Sequence, residues 1–563
     1  MDQASMESVD RNINPRVFFP AAGLVLALIV LGVTLTDRFG AAVDDVQRFI
    51  VAQFGWVYTG IVALLLVFVV ALVLKPEFRN IRLGPPESRP EYTFTSWFAM
   101  LFSAGMGIGL LFYSVAEPVL HYLEPPRAEP ETTAATTEAL RTTYFHWGLH
   151  PWAIYIVVSL SLAFFAYRHG LPLSLRSAFY PLIGKRVDGA FGDTIDTLAL
   201  VGTLFGVATS LGLGVMQVNA GLSSIGLLDE SAVNQIVLIT IIMAMATVSL
   251  LLGLDNGIRV LSRLNLFVGL ALLLFVLAVG PTAMILSAFL EGIGDYASNL
   301  IVLSLRTDAF HGVDWQSQWT LFYWGWWISW CPFVGMFIAR VSYGRTIGEF
   351  VLGVLLVPTL FTMFWLTTFG VSALDLEISD GTLAATIGEN VPAALFEMLD
   401  ALPLALITIP LATAVIVGYF VTSADSGALV MNILASGGHP NPPLFQKLFW
   451  SLLTAVTAGV LLVAGGLQAL QTATLLTAFP LAIVLGLMAW SLWVALRADA
   501  LDATGIGALP TSRWDRLIEQ WRGSETDASH PSSGPTAASG TNTGQTADPT
   551  GARTTGAHAG GKR

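Results

Sequence analysis

Six tryptophans, Trp315, Trp319, Trp324, Trp326, Trp327 and Trp330, fall within 19 residues of this chain, and the run continues through Pro332 and Phe333. Trp315 and Trp319 suit an interfacial aromatic belt. Trp326, Trp330, Phe333 and Phe337 instead continue down one helical face into an apolar stretch. A second segment, HWGLHPWAIY, adds Trp147, Trp152 and Tyr155. Two readings compete for these rings: gap-filling in a helix bundle, or a cage for a cation, because aromatic faces attract a quaternary ammonium without hydrogen bonds. The scarcity of acids in the apolar stretches separates them. A primary amine there would leave N–H donors unsatisfied at high cost, whereas a permethylated nitrogen has none. The expected solute is a methylated ammonium compound.

Chemistry of a second kind is suggested where helices should break. Gly105-Met106-Gly107-Ile108-Gly109 places three glycines at spacing two inside an apolar run, and each costs about 1 kcal/mol against Ala in a helix. A stretched segment is expected there, with close helix packing as the alternative; Glu117-Pro118 closes the run. A second interruption is expected at Thr422-Ser423-Ala424-Asp425-Ser426-Gly427. Freed carbonyls and hydroxyls are hard oxygen donors that suit an alkali cation, unless the hydroxyls only satisfy their own helix. Thr209-Ser210 followed by Gly214 repeats the spacing of Thr422-Ser423 followed by Gly427, 213 residues earlier. Pro151 and Pro332 are further expected points of distortion. His146 and His150 stand at i, i+4, but no HExxH glutamate accompanies them, which argues against zinc. There is no phosphate loop, nucleophile elbow or carboxylate dyad, so no enzyme is expected.

The elements that must hold these residues follow from composition. The 563 residues are 54% hydrophobic and 12% charged, with a mean hydropathy of +0.68; soluble domains carry about 25% charged residues. A soluble enzyme, a nucleic-acid binder and a secreted disulfide scaffold are excluded, and Cys331, the one cysteine, can form neither a disulfide nor a thiolate metal site within the chain. At about 20 apolar residues per crossing, twelve transmembrane helices are expected, near 17–36, 56–74, 94–121, 144–167, 194–225, 233–254, 260–290, 315–339, 347–373, 401–432, 445–465 and 469–496. With the N-terminus cytoplasmic, 22 of the 27 Lys and Arg lie inside, so both termini are expected there. Residues 511–522 can form a short amphipathic helix, an interfacial element or merely the anchored end of the last span, and from Gly523 the composition is that of a disordered tail.

The segments FSAGMGIGLLFYSVAEPVLHY (102–122) and WTLFYWGWWISWCPFVGMFIARVSYGRTIGEF (319–350) closely resemble the two signatures of the betaine/choline/carnitine transporter (BCCT) family. HWGLHPW (146–152), ATSLGLG (208–214) and VTSADSG (421–427) agree with it, so the resemblance covers about residues 15–500. It implies an all-α membrane protein with a LeuT-type inverted repeat of two five-helix units, spans 3–7 (94–290) and 8–12 (315–497). Two peripheral spans (17–93) would precede them, after a short N-terminus (1–16). An external segment (291–314) would join the repeats, and a cytoplasmic helix (498–522) and tail (523–563) would follow. A homotrimer in a plasma membrane, working by alternating access, is implied, with membrane lipid as its surroundings and no nucleic-acid partner.

By the same resemblance the substrate would meet Trp147, Trp152, Tyr155 and Trp327 centrally and Trp326, Trp330 and Phe333 on the exit side. Gly105, Met106, Gly107 and Gly109 would touch it through backbone, and Ser210 would add a contact. One sodium site would use Thr422 and Ser423 with backbone oxygens of Ser103, Met106 and Tyr419. A second would use Thr203 and Phe333, where Val207 replaces a hydroxyl offered by sodium-coupled relatives. No cofactor is expected beyond sodium as coupling ion. Gly109 stands where proton-coupled choline carriers tend to have an acid. The implied function is sodium-driven import of glycine betaine for osmotic protection; a choline or carnitine carrier, proton-coupled or exchanging, is the alternative, and a channel or osmosensor the reading from another class. The net charge of −12 resides outside, where about 19 acids face five basic residues. With only four Lys among 27 basic residues, an acidic exterior suits a salt-loving prokaryote, a GC-rich genome being the other explanation for Arg over Lys.

Overall fold

The computed structural model describes residues 13–503 except Met106, 253–254, His311, Val313 and 440–441. The helix expected at 511–522 and the tail from Gly523 lie outside the described residues. Within them the chain is helical, its only β-pairing a single bridge, Arg82 to Thr346. Continuous apolar runs dictate this, since in lipid a helix alone satisfies every backbone group within one segment. The long helices are α1 (Pro15–Thr34), α2 (Thr36–Leu74), α3 (Phe94–Gly105), α4 (Ile108–Leu123), α5 (Thr133–Trp147), α6 (Leu149–Ala163) and α7 (Ala190–Ser224). They continue as α8 (Ala232–Leu252), α9 (Asp255–Val279), α10 (Thr282–Ser304), α11 (Thr320–Arg340), α12 (Ile347–Asp380), α13 (Ala405–Ala435) and α14 (Leu444–Ala503).

Ten helical stretches among the described residues are long and apolar enough to cross a membrane. The twelve expected crossings do not appear as twelve separate long helices, for two reasons. The third is cut into α3 and α4, and the last two run together as α14, bent where Gly465 and Gly466 leave helical geometry. The seventh closes at Val279 rather than 290, because Gly280-Pro281 ends α9 and the apolar residues beyond begin α10. α7 forms the axis, with 94% of its most apolar stretch buried, against α11, α13 and α14. α8 is only 22% buried by the same measure, and Val233, Ile236, Val237, Ile241 and Met245 on it are exposed. Large exposed apolar residues in that density mark a lipid-facing surface.

The expected break near Gly107 is present: α3 ends at Gly105, Gly107 is extended (φ −125°, ψ 175°), and α4 starts at Ile108. The break expected at Thr422–Gly427 is absent, since α13 runs unbroken from Ala405 to Ala435. There the Thr422 hydroxyl donates to the carbonyls of Gly418 and Tyr419 (3.1 and 3.2 Å), so it supports its own helix. α7 is likewise continuous through 209–214. Pro332 lies inside unbroken α11. Pro151 falls in the first turn of α6, where its missing N–H costs nothing; the actual break between α5 and α6 is at Gly148 (φ −91°, ψ −126°).

At one end of the bundle, the loop after α2 is sewn to the loop after α11. Leu83 N–H donates to Arg345 O, Gly344 N–H to Leu83 O and Ile347 N–H to Ile81 O, each at 2.8 Å, and the Arg82 guanidinium donates to Gly344 O at 2.9 Å. Gly344 is required: its φ is +76° and a Cβ would sit 2.2 Å from Arg89 O. Thr346 and Glu349 then form a capping box that opens α12.

Candidate functional site

The break between α3 and α4 brings backbone against the tryptophans of α11. Gly107 and Gly109 line a small cavity, about 40 Å³, with Leu110, Trp147, Pro151, Trp152, Tyr155, Trp326, Trp327, Trp330 and Thr362. A Cβ at Gly109 would lie 2.3 Å from the Trp326 ring and 3.1 Å from that of Trp147, so only glycine admits this approach. No lining side chain is charged. Eight of the residues picked out from the sequence therefore converge: Gly107, Gly109, Trp147, Trp152, Tyr155, Trp326, Trp327 and Trp330.

The rings are mutually oriented. Trp326 and Trp327 stack, with centroids 4.8 Å apart at 10°. Trp147 stands edge-on to Trp327 (4.9 Å, 70°), Tyr155 edge-on to Trp327 (6.5 Å), and Trp152 edge-on to Tyr155 (5.6 Å). Indole N–H groups in this wall are bound behind it: Trp326 to Ser210 Oγ (3.0 Å), Trp327 to His146 O (2.9 Å) and Trp330 to Gly206 O (2.9 Å). Hydrogen bonds thus fix the rings and occupy these N–H groups behind the wall, so that the cavity is bounded by aromatic carbon, the kind of surface cation–π attraction uses. Ser210 acts through Trp326, and Phe333 packs on Trp330 (5.3 Å) without lining the cavity. Gly105 ends α3; Met106 lies outside the described residues.

A residue that spacing alone did not assign organises this wall. Glu117, fully buried on α4, accepts from His146 Nδ1 (2.7 Å) and His121 Nε2 (3.3 Å) on Oε1, and from Trp147 Nε1 (2.7 Å) and the Tyr323 hydroxyl on Oε2. His146 Nε2 meets Thr320 Oγ1 at 3.0 Å. His146 and His150 do not converge as a metal pair, since His150 Nε2 meets Ser304 Oγ (2.8 Å). Ligand atoms of Glu117, His121 and His146 lie within 4.8 Å of one another, but the four donors occupy the carboxylate's lone pairs, which makes this a hydrogen-bond hub. The signal was a lone acid in an apolar run with His121 one turn on; His146 and Tyr323 lie 29 and 206 residues away, beyond any local pattern.

The proposed cation ligands are more dispersed. Thr422 and Ser423 sit on α13, Ser103 in the last turn of α3, and Tyr419 O already accepts from Thr422. Thr203 donates to Ala199 O (2.7 Å). The pairs Ser210–Trp326 and Gly206–Trp330 set α7 antiparallel to α11, so Thr203 and Phe333 lie one further turn along the same crossing. Val207 presents its methyls to Gly427, 3.0 Å from a Cβ there.

Comparison with known proteins agrees with this architecture. The BCCT, betaine/carnitine/choline family transporter, pattern matches residues 16–501. The chain is 44% identical over 497 residues to a glycine betaine transporter of Acinetobacter baylyi, covering 88% of this chain and 75% of the relative. It is 43% identical to the glycine betaine transporter OpuD of Bacillus subtilis, covering 89% and 98%. To a high-affinity choline transport protein of Escherichia coli it is 39% identical, covering 86% and 72%.

Proposed function

The chain belongs to the BCCT family and is a multi-span membrane transporter, not an enzyme, and from that premise we propose that it imports glycine betaine by sodium symport with alternating access. The observation that carries this reading is a cavity walled by aromatic faces with no charged side chain. A trimethylammonium group gains cation–π attraction there and leaves no donor unsatisfied. The carboxylate of a zwitterion has a partner too. Gly107 and Gly109 bring the start of α4 to the cavity, and a helix N-terminus offers free N–H groups and partial positive charge. That feature favours betaine over choline, which the Escherichia coli relative carries by name.

Sodium is supported by hydroxyls whose hydrogens point to their own carbonyls, as at Thr422 and Thr203, leaving oxygen lone pairs for a cation. Thr422 and Ser423 form the first site in this proposal, with backbone oxygens of Ser103, Met106 and Tyr419; Thr203 and Phe333 form the second, beside the apolar Val207. At about 40 Å³ the cavity admits only a few waters, so the walls must part to load a solute, a movement that alternating access supplies. The proposal includes a homotrimer in the plasma membrane with both termini cytoplasmic, on the strength of the Lys and Arg asymmetry.

Uptake of labelled betaine into proteoliposomes, with and without an inward sodium gradient, is the test. Betaine accumulation that collapses without sodium is expected. Sodium-indifferent uptake overturns symport, faster uptake of choline than of betaine moves the assignment to the alternative, and no uptake of any methylated ammonium removes the cage.

A further inference from the structure

Glu117 accepts four hydrogen bonds, the full capacity of a carboxylate, and the donors come from three helices. His121 is on its own helix α4, His146 and Trp147 are on α5, and Tyr323 is on α11. Trp147 is at the same time a wall of the cage, and Tyr323 stacks on Trp327, another wall (5.8 Å, 27°). Toward the Trp319 end of α11 lies a second cavity of about 360 Å³, lined by Leu120 of α4 and by Ser317, Gln318, Trp319, Gln471 and Leu475 among others. Tyr113 and Phe322 line this cavity as well, and both lean on Trp326 of the cage (6.1 and 5.5 Å). Tyr113 and Phe322 thus stand between the two cavities, and Glu117, one turn from Tyr113 on α4, accepts from Tyr323, the neighbour of Phe322 on α11.

We propose that Glu117 is a positioning residue that latches the cage on its outer side, holding α4, α5 and α11 together until the outer path opens. The physical basis is the contrast between dry and wet surroundings. Buried, a carboxylate depends on all its donors, because an unmet charge is costly. Once the outer path opens, water can replace each donor and the bonds lose most of their net worth. The latch is thus strong only while the cage is sealed, and it makes outer closure an all-or-none event. Because Trp147 is both latch donor and cage wall, displacement of its ring by a solute acts directly on the latch. The inference rests on the alternating-access reading proposed above.

The test uses full-length protein in detergent, without sodium or betaine, so that its outcome is separate from that of the transport assays. Cys331 is buried and is replaced by serine. Leu475→Cys reports the outer cavity, where Leu475 is 1% exposed, and Phe337→Cys, in a second protein, reports the opposite end of α11. Glu117→Gln sets an NH₂ group against N–H and O–H donors. Maleimide labelling at position 475 is expected to accelerate about tenfold, the scale of losing one hydrogen bond to a charged group, while labelling at 337 slows or stays constant. Unchanged labelling at 475, or equal acceleration at both positions, overturns the proposal, the latter by revealing general loosening. If Glu117→Gln does not assemble, Tyr323→Phe, which deletes one donor, is subject to the same two outcomes.

Discussion

The α3–α4 segment and α13 carry similar sequence signals for a broken helix, yet only the first breaks. In α3–α4 the signal is glycine: Gly107 takes extended backbone at the break, and Gly109, already inside α4, lets Trp326 come within 2.3 Å of where a Cβ would stand. In α13 the signal is Thr and Ser, whose hydroxyls have a local alternative, and Thr422 takes it by bonding Gly418 O and Tyr419 O. Closely spaced glycines, poor helix formers, open the backbone here, and hydroxyl side chains alone do not.

Substitutions can break that contrast, starting with the largest effect. Gly109→Leu forces a side chain into Trp326 and Trp147, and betaine uptake should fall roughly a hundredfold, on the scale of severe overpacking; Gly107→Ala, whose Cβ would be 3.7 Å from Trp330, should be nearly silent. Equal losses would mean that the break, rather than the approach of Trp326, needs the glycines. Next, Trp327→Leu should weaken betaine binding, read by tryptophan fluorescence titration, roughly 10- to 30-fold, the worth of a desolvated cation–π contact, whereas Trp315→Leu should change it less than about twofold. Matching effects would return the rings to a packing role.

Thr422→Val probes the unbroken partner. Thermal stability should hardly move, while the sodium concentration for half-maximal uptake should rise about tenfold; an unaltered sodium dependence would leave the hydroxyl with its helical role alone. The smallest effect is expected for Gly427→Ala, which meets Val207 at 3.0 and 3.2 Å. Uptake should drop by about twofold at most and recover in Gly427→Ala with Val207→Ala, and a failure to recover would separate these residues.

Most residues lining the aromatic cavity were readable from the sequence: Trp326 and Trp330 lie at helical spacing on one segment, and Trp327 came with the family resemblance. Helical class and membrane residence followed from apolar run length. The status of α13 was not readable, since Thr and Ser serve a break and an intact helix equally well. The end of α9 was announced by Gly280-Pro281, but the apolar run beyond masked it, because hydropathy does not distinguish a spanning residue from one that starts α10. The Glu117 hub was hidden for a different reason: its donors come from three helices, and only tertiary packing selects them.

The loop stitch near Gly344 also sets an order of assembly. Arg82 meets Gly344 across 262 residues, so at about 5–20 residues per second the loop after α2 waits roughly 13–50 s on the ribosome for its partner to be made. Through that interval the loop after α2 is without its partner, and the final packing of the first half waits longer still, since α7 rests on α13 and α14, which are made after the stitch can close.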